Sequence, residues 1–255
     1  MFPIAHGWLL AEVTEQPTAA DYLGCVWPDM LFGSPLAHPQ SHRSGAQLLA
    51  FARGAPAGAA RDEFLAFVRG VITHGAEPHG FDWFSDEGYG GESGHDKGFA
   101  FQRGEPLAQR AAVACDVPEE MGLWKAHNLV EMSFEGPLYA ANPDAAHALA
   151  IACADDALMR RIAEPLGRFF AHEPEALAES MRRYTSMVTL TPTTLDALGE
   201  KYAQQTRYRH AGAQPDAHAI ATLIGEATDL LAAERDDYLT TCLSGVRATL
   251  AACGL

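Results

Sequence analysis

The chain carries little positive charge: 18 Lys and Arg stand against 33 Asp and Glu, a formal net charge of −15 over 255 residues. A surface of that sign repels polyanions, so duplex nucleic acid is excluded as a partner unless bound metals reverse the field locally. Long hydrophobic runs are also missing. No stretch reaches the roughly 18 uninterrupted apolar residues of a membrane span, and the opening MFPIAHGWLLAEVTEQ has no basic leader before an apolar run. A cytoplasmic protein without a transmembrane segment is expected. The five cysteines (Cys25, Cys115, Cys153, Cys242 and Cys253) form no CxxC pair and are odd in number, which points to reduced thiols rather than a disulfide framework. Alternating strand patterns of useful length are absent. So are HExxH, GxSxG and GxxxxGK followed by Ser or Thr, the signatures of zinc peptidases, serine hydrolases and phosphate-loop enzymes.

What remains is helical. The apolar and charged fractions, 48% and 20%, are those of a globular protein, and 255 residues suffice for a sizeable core. Residues Ala60 to His74 place Phe64, Phe67, Val68, Val71 and His74 on one face, so His74 points inward. A helix entered through Asp116 and Pro118 carries Leu123, Trp124, His127, Val130, Glu131 and Phe134, with Gly136-Pro137 read as its end. Asn142 to Cys153, Asp155 to Ala171 and Glu173 to Met187 follow as consecutive helices. A last helix starts at Gln214-Pro215-Asp216 and continues through Tyr238, Cys242, Val246 and Leu250. Two segments break the pattern, residues Gly24 to Gln40 and Gly75 to Gly104, and irregular stretches of that length often carry function. The expected organisation is all-α, a single multi-helix domain over residues 1–255, with the metal-site half expected at 1–135 and C-terminal helices over 142–255.

Seven of the eleven histidines (His6, His38, His42, His74, His79, His95 and His127) lie in the first half, as do all four tryptophans. His127 and Glu131 are four residues apart, hence on one helical face about 6 Å apart, where an imidazole and a carboxylate can converge on one ion. Alone the pair reads as an ordinary polar stripe. His74 adds weight, because an imidazole on an apolar face must satisfy its nitrogens by hydrogen bonds or coordination. His6, in a candidate helix His6 to Glu15, and Asp29, after Trp27-Pro28, supply acceptors from further elements.

In order, these residues resemble the zinc-dependent phospholipase C and S1/P1 nuclease superfamily: an N-terminal His, a Pro-Asp pair, a further His, a helix bearing His then Asp, and a final HxxxE helix. The matching positions here are His6, Pro28-Asp29, His42 in AHPQSHRSG, His74 in FVRGVITHG, and His127 with Glu131 in AHNLVEM, over about residues 1–135. The family's aspartate four residues after the helical His falls at Pro78. HGAEPHGFDWFSDE offers Glu77, His79, Asp82 and Asp86 instead, of which His79 and Asp82 are taken as ligands. The resemblance implies a fold of the phospholipase C/P1 nuclease type and one to three zinc ions on His6, Asp29, His42, His74, His79, Asp82, His127 and Glu131. It also implies Asp29 as the carboxylate that bridges ions or orients the attacking water.

The implied activity is hydrolysis of a small-molecule or lipid phosphoester by a metal-activated water. Zinc suits a set rich in imidazole better than calcium or magnesium. Ser85 to Gly98, glycine-rich and acidic with Tyr89, reads as a lid over the site or as a solvated loop. Within it His95-Asp96 resembles the pair of HD-type phosphohydrolases, which makes that class an alternative. A non-catalytic helical scaffold with a degenerate site is the alternative outside enzymes.

Overall fold

A computed structural model of the protein describes residues 3–30, 33–89, 97–187 and 190–255. Among them there is no strand, and the all-α class expected from periodicity holds. The helices are α1 (Pro3–Val13), α2 (Ala19–Gly24), α3 (His38–His42), α4 (Gly45–Gly54), α5 (Ala59–His74), α6 (Phe99–Gly104), α7 (Ala108–Cys115) and α8 (Gly122–Met132). They continue as α9 (Glu135–Ala141), α10 (Pro143–Ala154), α11 (Asp156–Phe170), α12 (Pro174–Met187), α13 (Leu195–Arg209), α14 (Ala217–Leu231) and α15 (Arg235–Ala252). A 3-10 turn spans Trp27–Asp29 and a π-helical turn Trp83–Glu87. No helix among the described residues is long and apolar enough to cross a membrane.

Local chemistry explains most boundaries. Asn142, Asp155, Thr194 and Asp216 each accept a hydrogen bond from a backbone N–H of the first turn they precede, which starts α10, α11, α13 and α14. Three expectations need correction. Gly136-Pro137 does not end a helix: α8 stops at Met132, and both residues lie in the first turn of α9, where proline's missing N–H costs nothing. The last helix is two, α14 and α15, separated at Ala232–Glu234. Finally, α13 has no counterpart in the expected set, because its buried side mixes Leu198 and Tyr202 with Lys201, Gln205 and Thr206 and so lacks an apolar stripe.

The chain forms two compact units. One consists of Met1–Ala5, Phe84–Ala141 and Met187–Thr240, the other of His6–Trp83, Asn142–Ser186 and Thr241–Leu255. In the first, α6, α7 and α8 pack together, with α14 against α7 and α8 and α13 alongside α14. Phe99 stacks on Tyr238 at 4.0 Å with Phe134 beside them. A buried carboxylate, Glu135, accepts from Ile4 and Ala5 N–H at 3.0 Å each and pairs with Lys201 at 3.4 Å, which satisfies orphan donors of α1's first turn.

In the second unit α2 crosses α5 at backbone contact. A Cβ on Gly24 would lie 2.0 Å from the Phe67 carbonyl oxygen, and one on Gly70 would lie 2.1 Å from that of Asp21. Helix axes approach this closely only where both partners lack side chains. Arg69 locks the crossing with a bidentate pair to buried Asp21, at 2.7 and 2.8 Å. Trp27, Phe64 and Phe67 fill the interior around it. We expect Gly70→Ala to destabilise the protein by about 3 kcal/mol, the upper end of overpacking costs; an unchanged urea midpoint would contradict the close crossing.

Candidate metal centres

His74, the last residue of α5, is fully buried. The α2–α5 crossing brings the Cys25 carbonyl oxygen to 2.7 Å from His74 Nδ1, so Nδ1 carries the proton and Nε2 is turned toward Asp82 Oδ2, 3.0 Å away. Asp82 is the hub of this region. Its Oδ1 lies 3.4 Å from His6 Nε2, and its Oδ2 lies 3.4 Å from His42 Nε2 as well as facing His74. His42 Nε2 also lies 3.7 Å from Asp29 Oδ1, while its Nδ1 is held by Ser41 Oγ at 2.8 Å and the His38 carbonyl oxygen at 3.1 Å. Ser41 Oγ in turn donates to the Pro28 carbonyl, tying α3 to the turn that carries Asp29.

Two ligand groups result, His6 with His74 and Asp82, and Asp29 with His42 and His74; within each, the ligand atoms lie within 4.8 Å of one another. That is close to the spread that donors about 2.1 Å from a shared ion permit. Asp82, with one oxygen toward His6 and the other toward His42 and His74, faces both groups, and His74, common to the two, has only its Nε2 lone pair to offer an ion. The outer support is complete on two imidazoles, each with its Nδ1 engaged by a carbonyl or hydroxyl, which is how proteins fix the tautomer and plane of a coordinating histidine.

Charge is distributed as a cation site requires. Burial, and then the neighbouring His74, pull the His6 imidazole down to about 3, so it is neutral at pH 7 with a lone pair to give. Burial pushes the Asp82 carboxyl up, but the facing His74 charge and hydrogen bond outweigh it and hold Asp82 below the usual carboxylate range. His74 is pushed down by burial and up by Asp82, with a net rise. A metal held here would need the His74 Nε2 lone pair, so its binding would strengthen with pH.

The other unit holds a third group: Asp86, His127 and Glu131. His127 Nε2 lies 3.6 Å from Glu131 Oε2 and 4.0 Å from Asp86 Oδ1. Glu131 and His127 come from successive turns of α8, as the HxxxE spacing required; Asp86 comes from the π turn, which re-aims side chains relative to an α-helix. Gly98 presses on that turn: its N–H donates to the Asp86 carbonyl at 2.8 Å, and a Cβ there would meet the Ser85 carbonyl at 2.3 Å. Ser85 Oγ donates to Glu131 Oε1, leaving Oε2 to face His127.

Seven of the eight expected ligands are thus brought into these groups, five in one unit and two in the other. His79 is not: its exposed ring stacks on Trp83 at 3.9 Å and its carbonyl accepts from Thr249. Glu77 is also exposed and pairs with Arg43. Asp86 joins a group although the sequence offered it only as one of four candidates, and Ser85 had no signal at all. His95 and Asp96 lie outside the described residues, as does half of the glycine-rich stretch read as a lid (residues 90–96). None of the five cysteines, all among the described residues, is in a disulfide. No protein-family model, curated protein or solved structure matches the chain.

Two outcomes test this description. Ser85→Ala is expected to weaken metal binding at the Asp86, His127 and Glu131 group by about 10–100-fold, the usual cost of removing a ligand's outer partner; equal affinity in a competition titration would remove Ser85 from the site. Acid titration tests His6. Its folded value lies below the ordinary 6.5, so the stability it contributes is complete above pH 6.5 and is lost as pH falls toward 3. Chelated protein should therefore lose about 1.4 kcal/mol per pH unit from this group below pH 6. His6→Gln should flatten that slope in urea denaturation, and parallel slopes would contradict it.

Proposed function

We propose that the chain is a zinc-dependent phosphoesterase that hydrolyses a phosphodiester or phospholipid-like substrate, with its working centre on His6, Asp29, His42, His74 and Asp82. The observation that carries this reading is the convergence of three buried imidazoles on the two oxygens of one buried carboxylate. A histidine-rich set of this kind favours zinc over the all-oxygen shells of calcium or magnesium. The order of residues shared with the phospholipase C and S1/P1 nuclease superfamily supports the same reaction class.

Bound divalent ions supply Lewis acidity toward phosphoryl oxygens and lower the pKa of water toward 7. The chain's own residues do the rest. Cys25 and Ser41 fix the planes of His74 and His42 through their Nδ1 atoms. Asp82 spans the two ligand groups and keeps them within a carboxylate's width. Asp29 is partly exposed, at the end of its 3-10 turn, so it can take the proton of the attacking water while its other contacts hold it in place. As the new P–O bond forms and the ester P–O bond breaks, that proton passes to the leaving alkoxide. Cationic charge at the centre also offsets the chain's −15 where an anionic substrate must approach.

Protein purified without a metal-affinity tag should contain zinc by elemental analysis and hydrolyse bis-p-nitrophenyl phosphate, with activity lost to chelator and restored by zinc. Asp82→Asn should lower kcat/KM by at least about 100-fold, as loss of a ligand or its outer partner does. Metal-free protein with undiminished thermal stability in chelator would instead favour a helical scaffold with a degenerate site.

A further inference from the structure

The second unit holds a space that neither of its ligand groups uses. A cavity of about 880 Å³ lies between the end of α4, the start of α5 and α11, all within that unit. Its floor is apolar: Phe64 and Ile162 are buried, and the half-buried Phe51 meets Phe64 edge to face at 6.2 Å and 86°. Pro165, inside α11, adds an apolar ring to the wall. Small residues keep the space open. Ala50, Gly54 and Ala60 line it, and a Cβ at Gly54 would meet nothing within 4 Å. Packing alone would favour larger apolar side chains at these positions, which would cover the Phe51 ring. The volume kept instead falls in the range of small-molecule sites, about 300–1,000 Å³.

The rim supplies charge. Of the chain's 18 basic side chains three, Arg61, Arg161 and Arg168, line this one cavity, against two carboxylates, Glu63 and Glu164. That is a local excess of positive charge on a protein whose net charge is −15. Two of the guanidinium groups are committed. Arg161 forms a bidentate pair with Glu63, both bonds at 2.9 Å, and Arg61 donates to Asp62 at 3.0 Å. Arg168 is exposed and forms no ion pair among the described residues. A planar guanidinium fork without a carboxylate of its own matches the two oxygens of a ligand carboxylate. Glu164, one turn earlier on the same face of α11, disfavours a second negative charge there and so argues against a phosphate dianion. An apolar floor under one uncommitted guanidinium therefore suits a molecule with an apolar body and a single carboxylate.

We propose that the cavity between α4, α5 and α11 binds a small amphipathic carboxylate, with its apolar body on Phe51, Phe64 and Ile162 and its carboxylate on Arg168. The site is separate from the metal centres, and the proposal does not depend on the phosphoesterase reading.

Titration calorimetry with octanoate and with octanol, which share the tail and differ in the head group, tests it. Octanoate should bind about tenfold tighter than octanol, the usual return of a charge-assisted hydrogen bond. Arg168→Gln should bring octanoate down to the affinity of octanol and leave octanol unchanged, and Arg168→Lys should restore part of the preference. Ala60→Phe, which fills the cavity from an exposed position in the first turn of α5, should abolish binding of both ligands while the urea midpoint stays the same. Native protein that binds neither ligand, or binds both equally, would overturn the proposal. Octanoate binding unchanged in both Arg168→Gln and Ala60→Phe would also overturn it, since the carboxylate would then sit elsewhere, at a metal centre for example. A native dimer that Ala60→Phe turns into a monomer in sedimentation, with no octanoate bound by either, would assign the cavity to a second copy of the chain instead.

Discussion

The geometry around His74 depends on two glycines. Gly24 and Gly70 let α2 and α5 touch backbone to backbone, and that contact, locked by the Arg69–Asp21 pair, carries the Cys25 carbonyl to His74 Nδ1. Once Nδ1 is committed, Nε2 must face Asp82, and Asp82 in turn faces His6 and His42. An alanine at either glycine would separate the helices by more than a hydrogen bond can span. The position of a carbonyl oxygen is thus set by the absence of a methyl group.

Such a cluster is expensive for a protein to keep without a ligand. Three imidazoles and a carboxylate are withdrawn from water in a small volume, and isolated polar groups in that position cost several kcal/mol each. The mutual pairing of His74 with Asp82 recovers part of this; a cation held by the same residues would recover more, by taking up imidazole lone pairs and carboxylate charge. Binding free energy then becomes folding free energy, so metal content and thermal stability should move together. The Asp86, His127 and Glu131 group is built from harder donors, one imidazole with two carboxylates, and is held by Ser85 and the Gly98 contact rather than by a helix crossing.

Helical periodicity made much of this readable in advance. His74 fell on the apolar face of its helix, His127 and Glu131 fell on successive turns, and Asn142, Asp155 and Asp216 stood where helices begin. Ligands set by irregular backbone were less accessible. Asp86 reaches its partners from a π turn, which has no sequence signature, whereas His79, equally plausible by residue type, ends stacked on Trp83. Gly136-Pro137 looks like a stop signal in sequence but serves as a first turn, because proline's meaning depends on which side of the helix boundary it lies. The half-polar buried side of α13 erased the stripe that would have announced it. Carbonyl and hydroxyl partners such as Cys25, Ser41 and Ser85 carry no pattern at all, since any residue has a carbonyl and serine is common.

The central claim is that His6, His42, His74 and Asp82 are arranged to hold a metal ion. Anomalous diffraction above and below the zinc edge, from crystals grown with zinc, addresses it most directly. A difference peak within coordination distance of His74 Nε2 and an Asp82 oxygen is the expected result; zinc found only on surface side chains, with His74 still paired directly to Asp82, would contradict it.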